Sequence, residues 1–116
     1  MPRLPRSIRA LAFLPVPLAA LPQTDGYRQL TGMQIRQAFT GRSFTDDTHF
    51  NLRYLPNGHV EGASMGRKVR FKWRVIGNEL CLDEGKGDAC YTVRKKGQAI
   101  SLKLQDSDIA LDGYLR

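Results

Sequence analysis

Apolar and polar residues alternate along most of the chain after residue 48, and this period of two is typical of β-strands. In HFNLRYL (residues 49–55), Phe50, Leu52 and Tyr54 fall on one face. The segment RKVRFKWRV (residues 67–75) alternates cations with apolar residues in the same way. Both patterns predict antiparallel strands that are buried on one face and wet on the other.

Turn residues separate the alternating segments at intervals of roughly ten residues. Proline, asparagine and glycine at 56–58 supply one turn. If Pro56 and Asn57 are the two central residues of this turn, Tyr54 faces His59 across the hairpin. The segments bounded by turns are 43–45, 49–55, 59–65, 67–76, 79–82, 90–94, 99–104 and 109–115. They predict a mainly β fold, an antiparallel meander of about seven or eight strands that forms a small barrel or sandwich.

One segment before the strands follows a helical pattern instead. In LTGMQIRQAFTG (residues 30–41), Thr31 is placed to cap a helix, and Gln34 completes a capping box. Leu30 precedes the cap and is placed to pack against Ile35. We therefore predict a short N-terminal helix at about 32–40, preceded by an irregular lead-in over residues 21–29.

The first 20 residues have the layout of a signal peptide. Three arginines and no acid are followed by the uncharged run ALAFLPVPLAAL (residues 10–21), which contains the small residues Ala19 and Ala20 near its end. We predict that residues 1–20 are cleaved and that residues 21–116 form a single β-rich domain, periplasmic or secreted. The apolar run is shorter than the roughly 20 residues that cross a membrane and contains Pro15 and Pro17, so we expect no stable membrane span after cleavage. An uncleaved anchor and a mitochondrial presequence are the alternatives.

Export changes how the charge and the cysteines are interpreted. The formal charge of +7 includes three arginines of the predicted signal, so the mature domain carries +4. That mild excess favours weak attraction to anionic surfaces without naming one. Cys81 and Cys90 are the two cysteines of the chain, and in an exported protein we predict one disulfide between them. A loop of about ten residues closed in this way adds roughly 2 to 3 kcal/mol of stability.

The cations of the segment 67–76 form a possible anionic-ligand face: Arg67, Lys68, Arg70, Lys72 and Arg74. Arg94, Lys95 and Lys96 are candidates to extend it. A binder of single-stranded nucleic acid needs aromatic residues on the same face as its cations, but alternation sends Phe71 and Trp73 to the opposite face. We therefore expect no nucleic-acid partner. The row is a solvated strand face that guards against edge pairing, or else it contacts an anionic ligand or envelope polymer.

Other chemistry has weak support in the sequence. His49 and His59 have no third metal ligand at a suitable spacing, and the loop 83–88 lacks the ordered oxygen ligands of an EF-hand. Asp106, Asp108 and Asp112 read as a solvated loop and strand edge. No serine lies in a nucleophile elbow, and no glycine-rich phosphate loop precedes a helix. We expect no catalytic residue, metal or cofactor, and a small hydrolase is the third functional alternative.

Several short motifs together resemble small exported alphaproteobacterial β-rich proteins of unknown function. They are the helix before FTG, the PNG turn, WRVIGNELCL (residues 73–82) and the second cysteine before YTV, so the resemblance spans about residues 31–93. It implies a fold and export but no reaction. A weaker similarity is to calycin-like periplasmic inhibitor barrels, although Trp73 lies mid-chain and the G-x-W opening of those barrels is missing.

These observations favour an exported, non-catalytic binding or cell-envelope-associated module, expected as a monomer. Its expected partner is an envelope protein or an anionic polymer. The alternative function is a periplasmic calycin-like inhibitor of a protease or lysozyme that inserts a loop or chain end into its target. A cavity lined by small residues would indicate an apolar ligand, whereas a core filled around Phe71, Trp73 and Val75 would indicate a module that acts through its surface.

Overall fold

The computed structural model describes residues 25–116, so the predicted signal peptide and its cleavage site lie outside the described residues. The elements are β1 (Arg28–Gln29), α1 (Gly32–Phe39), β2 (Ser43–Thr45), β3 (Phe50–Tyr54), β4 (His59–Ser64), β5 (Arg67–Ile76), β6 (Glu79–Asp83), β7 (Asp88–Lys96), β8 (Ala99–Leu104) and β9 (Ala110–Leu115). The mainly β prediction with one short helix is confirmed. The helix in this part of the chain is too short to cross a membrane.

The strands β2 to β9 form a closed antiparallel barrel. Each strand pairs with the next along the chain, and β2 also pairs with β9 through Phe44 opposite Leu115. This seam selects the barrel over the sandwich. The disulfide between Cys81 and Cys90 is confirmed, with an S–S distance of 2.05 Å. It joins directly opposite positions of β6 and β7, so it staples one hairpin and not the seam.

The lead-in was predicted as irregular, and this is wrong at β1. Arg28 and Gln29 pair with Lys95 and Arg94 of β7. Pairing between β6 and β7 ends at Tyr91, so β1 occupies the edge that β6 leaves free along the rest of β7. A strand of two residues is too short to show a periodic pattern. It becomes evident only in the structure, where β7 extends beyond its pairing with β6.

The helix begins as predicted. Thr31 Oγ1 accepts a hydrogen bond from the Gln34 N–H at 3.3 Å, and the Thr31 N–H donates to Gln34 Oε1 at 2.9 Å. The helix ends at Phe39, because Thr40 leaves helical geometry with ψ at 121°. Capping therefore sets the start of α1, and its end lies within one residue of the predicted boundary.

Helix α1 closes one end of the barrel. Ile35 and Phe39 are fully buried, and the Phe39 ring packs edge-on against Tyr54 of β3 at 4.9 Å. At the start of the helix, the Gly32 N–H donates to Asn78 Oδ1 at 2.8 Å. A Cβ at Gly32 would lie 2.1 Å from the Gly77 carbonyl oxygen, so the close seating of α1 on the β5–β6 turn requires glycine.

Large side chains fill the barrel. Trp73 is buried, its Nε1–H donates to the Leu55 carbonyl at 2.9 Å, and its ring lies edge-on to Tyr54 at 5.5 Å. Phe71 and Val75 are half-buried and pack against the same core. The buried hydrophobic cluster is Leu30, Ile35, Phe39, Phe44, Leu52, Tyr54, Val60, Trp73, Leu80, Val93, Ile100, Leu102 and Leu115. The core around Phe71, Trp73 and Val75 is thus filled by side chains.

The register of the β3–β4 hairpin differs from the predicted one. Tyr54 lies opposite Val60 and not opposite His59. The Leu55 N–H donates to the His59 carbonyl at 2.8 Å, and Gly58 adopts a φ of 90°. This glycine adds one residue to the connection, which shifts the pairing by one position. His59 consequently lies on the outer face of β4, opposite Lys72.

Candidate functional site

Four members of the predicted cation row lie on the outer face of β5: Lys68, Arg70, Lys72 and Arg74. Arg67 is adjacent to Lys68 and therefore lies on the opposite face, at the exposed start of the strand. The apolar residues between the cations point to the core, so the predicted alternation is confirmed. Acidic residues of the neighbouring strands face the middle of the row. Arg70 Nε donates to Glu61 Oε2 at 3.1 Å, and Lys72 lies opposite Asp83. The outer face of β5 therefore has much of its charge balanced by the strands on either side.

An ion pair at the end of the row lies beside the disulfide. The Arg74 guanidinium donates to both carboxylate oxygens of Asp88, and Asp88 raises the pKa of Arg74. Arg74 lies opposite Cys81, and Asp88 lies two residues before Cys90. The pair thus reaches diagonally from β5 to β7 across the stapled hairpin. As an anionic-ligand face the row stays a prediction, but this geometry gives Arg74 a role in the fold.

The two cations at the start of β5 have different neighbours. Arg67 lies opposite Ser64 and Lys68 opposite Ala63, neither of which carries a charge. Met65 lies between these strands at the tip of the β4–β5 hairpin, and 72% of its surface is exposed. The start of β5 therefore combines exposed cations with an exposed apolar side chain.

The loop between β6 and β7 is organised by its own first acid. Asp83 Oδ1 accepts hydrogen bonds from the Gly85 N–H at 2.7 Å and the Gly87 N–H at 3.3 Å. The bond from Gly85 is the largest influence on the pKa of Asp83 and lowers it. Within residues 25–116, no three metal-ligating side chains are grouped so that they could hold a metal ion.

The two histidines lie on different parts of the surface. His49 Nδ1 lies 2.7 Å from Asp46 Oδ2 in the β2–β3 loop, and His59 Nδ1 lies 3.5 Å from the Arg70 guanidinium. Each ring therefore has a local polar neighbour. Neither arrangement places a nucleophile beside a base.

The predicted extension of the row consists of Arg94, Lys95 and Lys96, and the first and last of these contact the residues just before β1. The Arg94 guanidinium contacts both carboxylate oxygens of Asp25, at 3.1 and 3.3 Å, and lies 5.6 Å from the centre of the Tyr27 ring. The Tyr27 N–H is the largest cause of the lowered pKa of Asp25, and Arg94 lowers it further. Lys96 Nζ donates to the Asp25 carbonyl at 3.2 Å. Both cations already have oxygen partners on this side of β1.

The residues around β1 also form a different arrangement, which we call the helix-end groove. It has a volume of about 400 Å³ and lies between β1, α1, the β7–β8 turn and the end of β9. Its lining comprises four cations (Arg28, Arg42, Lys95 and Lys96), three amides (Gln34, Gln37 and Gln98), three apolar side chains (Leu30, Ala38 and Leu115) and two glycines (Gly26 and Gly97). None of these lining residues, all from the described part of the chain, is acidic.

Two of the groove cations face each other directly. Arg28 lies opposite Lys95 in the antiparallel pairing of β1 and β7, so both side chains leave the sheet on the same face. The next residue on that face of β1 is Leu30, which is buried and whose N–H donates to the Val93 carbonyl at 2.8 Å. Burial of Leu30 fixes which face Arg28 occupies. Because like charges directly opposite each other are destabilising, an anion between them would relieve the repulsion.

The sequence offered no local signal for this groove. Arg28 lies in the predicted lead-in, Arg42 in the short connection after the helix, and Lys95 near a predicted turn. These cations come from separate segments, and barrel closure brings them to one end. The sequence pattern makes Lys95 and Lys96 candidates for the β5 face and not for this groove.

No family model, curated protein or solved structure matches this chain. The resemblances to exported β-rich proteins and to inhibitor barrels therefore stay predictions.

Proposed function

We propose that the protein is an exported, non-catalytic binding module of the cell envelope and that the helix-end groove takes its anionic partner. The observation that supports this most directly is the placement of Arg28 opposite Lys95, in a groove that Arg42 also lines. Cations that lack acidic neighbours are available to a ligand. The filled barrel supplies the rigid frame that holds them at fixed positions.

The residues of the groove suit binding better than catalysis. Its charged side chains are arginine and lysine, which carry several N–H donors and no acceptor. Such groups hold anions well, but they are poorly suited to accept a proton. Its amides add hydrogen-bond donors and acceptors without adding charge.

A charge-matched comparison tests this proposal. Binding of the purified protein to poly-L-glutamate is measured by light scattering or calorimetry, with neutral dextran as the control polymer. Arg28→Gln combined with Lys95→Gln is expected to weaken binding by about tenfold or more, because charge-assisted hydrogen bonds contribute about 1.5–3 kcal/mol each. Arg70→Gln combined with Lys72→Gln removes the same charge from β5 and is expected to have a smaller effect. Equal losses, or a larger loss from the β5 variant, would contradict the proposal.

A second candidate, inhibition of a lytic enzyme, has one specific observation in its favour. Met65 adopts a φ of 52°, a conformation that costs a non-glycine residue roughly 1–2 kcal/mol. The Met65 N–H donates to the His49 carbonyl at 2.7 Å, so the backbone of the hairpin tip is anchored. A preorganised tip that presents an exposed apolar side chain, with Arg67 and Lys68 beside it, is suited to insertion into an acidic cleft.

The test of this candidate uses egg-white lysozyme and trypsin as the probe enzymes. Met65→Gly keeps the backbone conformation of the turn and removes the side chain, so it is expected to abolish inhibition without harming the fold. Met33→Ala is the matched control, because Met33 on α1 is exposed to the same extent. Absence of inhibition by the unaltered protein at micromolar concentration, or equal inhibition by both variants, would contradict this candidate for these enzymes.

A further inference from the structure

We infer that the helix-end groove binds the acidic end of a short amphipathic molecule, and this inference rests on the proposed function. A carboxylate or phosphate would lie between Arg28 and Lys95, and the apolar body would lie on Leu30, Ala38 and Leu115. The ligand is thus a small molecule or a chain end and not the middle of an extended polyanion. Three properties of the groove carry the inference: the position of its cations, its apolar lining and its size.

The cations form the acid-binding side. Directly opposite residues of an antiparallel pair have Cβ atoms about 4.5–5.5 Å apart, so one anionic group can contact both Arg28 and Lys95. The guanidinium matches the geometry of a carboxylate or phosphate and donates two parallel hydrogen bonds, while the ammonium acts as a point charge. Arg42, from the connection between α1 and β2, adds a third cation. Lys96 already donates to the Asp25 carbonyl and therefore contributes less.

Most of the groove surface is polar, and its smaller apolar part distinguishes the groove from a site for a bare ion. Leu30 and Leu115 are almost wholly buried, yet their remaining surface borders the groove beside the half-buried Ala38. Gln34 and Gln37 lie on the exposed side of α1. A ligand with one charged end and one apolar end matches this division, because its body removes apolar surface from water while its charge stays with the cations.

The size of the groove limits the length of the ligand. Its volume of about 400 Å³ lies near the lower end of the roughly 300–1,000 Å³ of small-molecule sites. The groove is bounded by β1, α1, the β7–β8 turn and the end of β9. A short acyl or alkyl chain with an acidic head meets these limits.

The experiment titrates the purified protein with a series of small ligands and follows binding by calorimetry. Acetate and hexanoate compare two carboxylates, inorganic phosphate and hexyl phosphate compare two phosphates, and hexanol is the neutral control. The six-carbon acids are expected to bind at least about tenfold more tightly than acetate or inorganic phosphate, since they bury additional methylene groups. Hexanol is expected not to bind measurably. The tighter of the two six-carbon acids identifies the preferred head group.

Two variants of one helix locate the binding site. Ala38→Glu places a carboxylate in the apolar part of the groove and is expected to abolish hexanoate binding. Met33→Glu makes the same charge change on an exposed position of α1 that does not line the groove, and it is expected to retain binding within about twofold. Circular dichroism checks that both variants fold. Arg28→Gln combined with Lys95→Gln provides an independent second test if Ala38→Glu fails to fold.

The outcomes separate this inference from the proposed function. If small acids bind with no dependence on alkyl length, or if only poly-L-glutamate binds, the amphipathic ligand is excluded and the anion-binding module stands. If neither the small acids nor poly-L-glutamate binds, both proposals fail. If Met33→Glu and Ala38→Glu lose hexanoate binding equally, the apolar part of the groove is not the site and the inference fails.

Discussion

The outer face of β5 and the helix-end groove are both rich in cations, but they differ in what lies across the neighbouring strand. On β5, Arg70 pairs with Glu61 and Lys72 lies opposite Asp83. In the groove, Arg28 lies opposite Lys95. The comparison shows that a conspicuous run of cations in a sequence can be largely balanced in the fold, whereas scattered cations can converge without acidic neighbours.

The difference is energetic as well as geometric. Opposite charges directly across two strands stabilise a sheet by roughly 0.2–1 kcal/mol, and like charges there destabilise it. The β5 face is therefore arranged in favour of the fold, while the pair of Arg28 and Lys95 opposes it. An anionic ligand between Arg28 and Lys95 would turn this unfavourable contribution into a favourable one. This contrast is the reason why we propose the groove, and not the longer basic row, as the anion-binding site.

The largest expected effect is on ligand affinity. Lys95→Glu places a carboxylate opposite Arg28. The substitution therefore removes one cation of the groove and pairs the other with a carboxylate of the protein itself. We expect hexanoate affinity to fall by about 100-fold, which corresponds to losing one to two charge-assisted hydrogen bonds. Arg70→Glu makes the same charge change on β5 and should alter the affinity by less than about threefold. Calorimetric titration measures the hexanoate affinity of both variants. Equal losses of affinity would contradict the difference between the groove and the outer face of β5.

The next largest effect is on stability. Replacing Cys81 and Cys90 by serine is expected to lower the free energy of unfolding by about 2–3 kcal/mol, because the bridge no longer restricts the unfolded chain. Urea denaturation of the variant and of the reduced unaltered protein measures this loss. Hexanoate affinity should stay unchanged, since neither cysteine lines the groove. A parallel loss of affinity would show that the groove depends on the β6–β7 hairpin.

Single neutralisations should change stability with opposite signs in the two regions. Arg28→Gln removes a like-charge contact and is expected to raise the free energy of unfolding, whereas Arg74→Gln breaks the contact with Asp88 and is expected to lower it. Each change should be about 0.2–1 kcal/mol. Both changes in the free energy of unfolding should become smaller when the salt concentration rises from 0.1 to 1 M, because the Debye length falls from about 10 to 3 Å. Thermal denaturation measures both changes in stability. If the two variants change stability with the same sign, the proposed difference between the groove and the β5 face is contradicted.

The smallest expected effect concerns pH. The pKa of Asp83 is lowered, first by the Gly85 N–H, and that of Asp25 is lowered, first by the Tyr27 N–H. Because these folded-state values lie below the unfolded value of about 3.9, their contribution is present above about pH 4 and is lost as the pH falls through the folded-state pKa. Asp83→Asn should make stability slightly less sensitive to acid.

Much of the local structure could be predicted from residue patterns, because those patterns act over a few neighbouring positions. The capping box of Thr31 and Gln34 identified the start of α1, and the alternation of β5 identified its buried and exposed faces. The β3–β4 register was wrong by one position, because the φ of Gly58 could not be inferred from its identity alone. The two residues of β1 were too few to show a period.

The candidate site, in contrast to the local structure, could not be predicted from residue patterns. The row on β5 was conspicuous because its cations are consecutive in the alternation, yet Glu61 and Asp88 neutralise part of it from other strands. The groove escaped prediction because Arg28, Arg42 and Lys95 belong to separate segments. Sequence proximity therefore identified the basic row on β5 and not the groove.

The sequence by itself determined the strand alternation, the helix cap, the turns and the availability of one cysteine pair, since each depends on short-range sterics and hydrogen bonds. Only the tertiary structure decided that β2 closes on β9, that β1 extends the edge along β7, and that Arg28 meets Lys95. Charge neighbours across strands depend on register and closure, which the packing of the whole core decides. For this protein, that packing determines which cations are already balanced and which are available to a ligand.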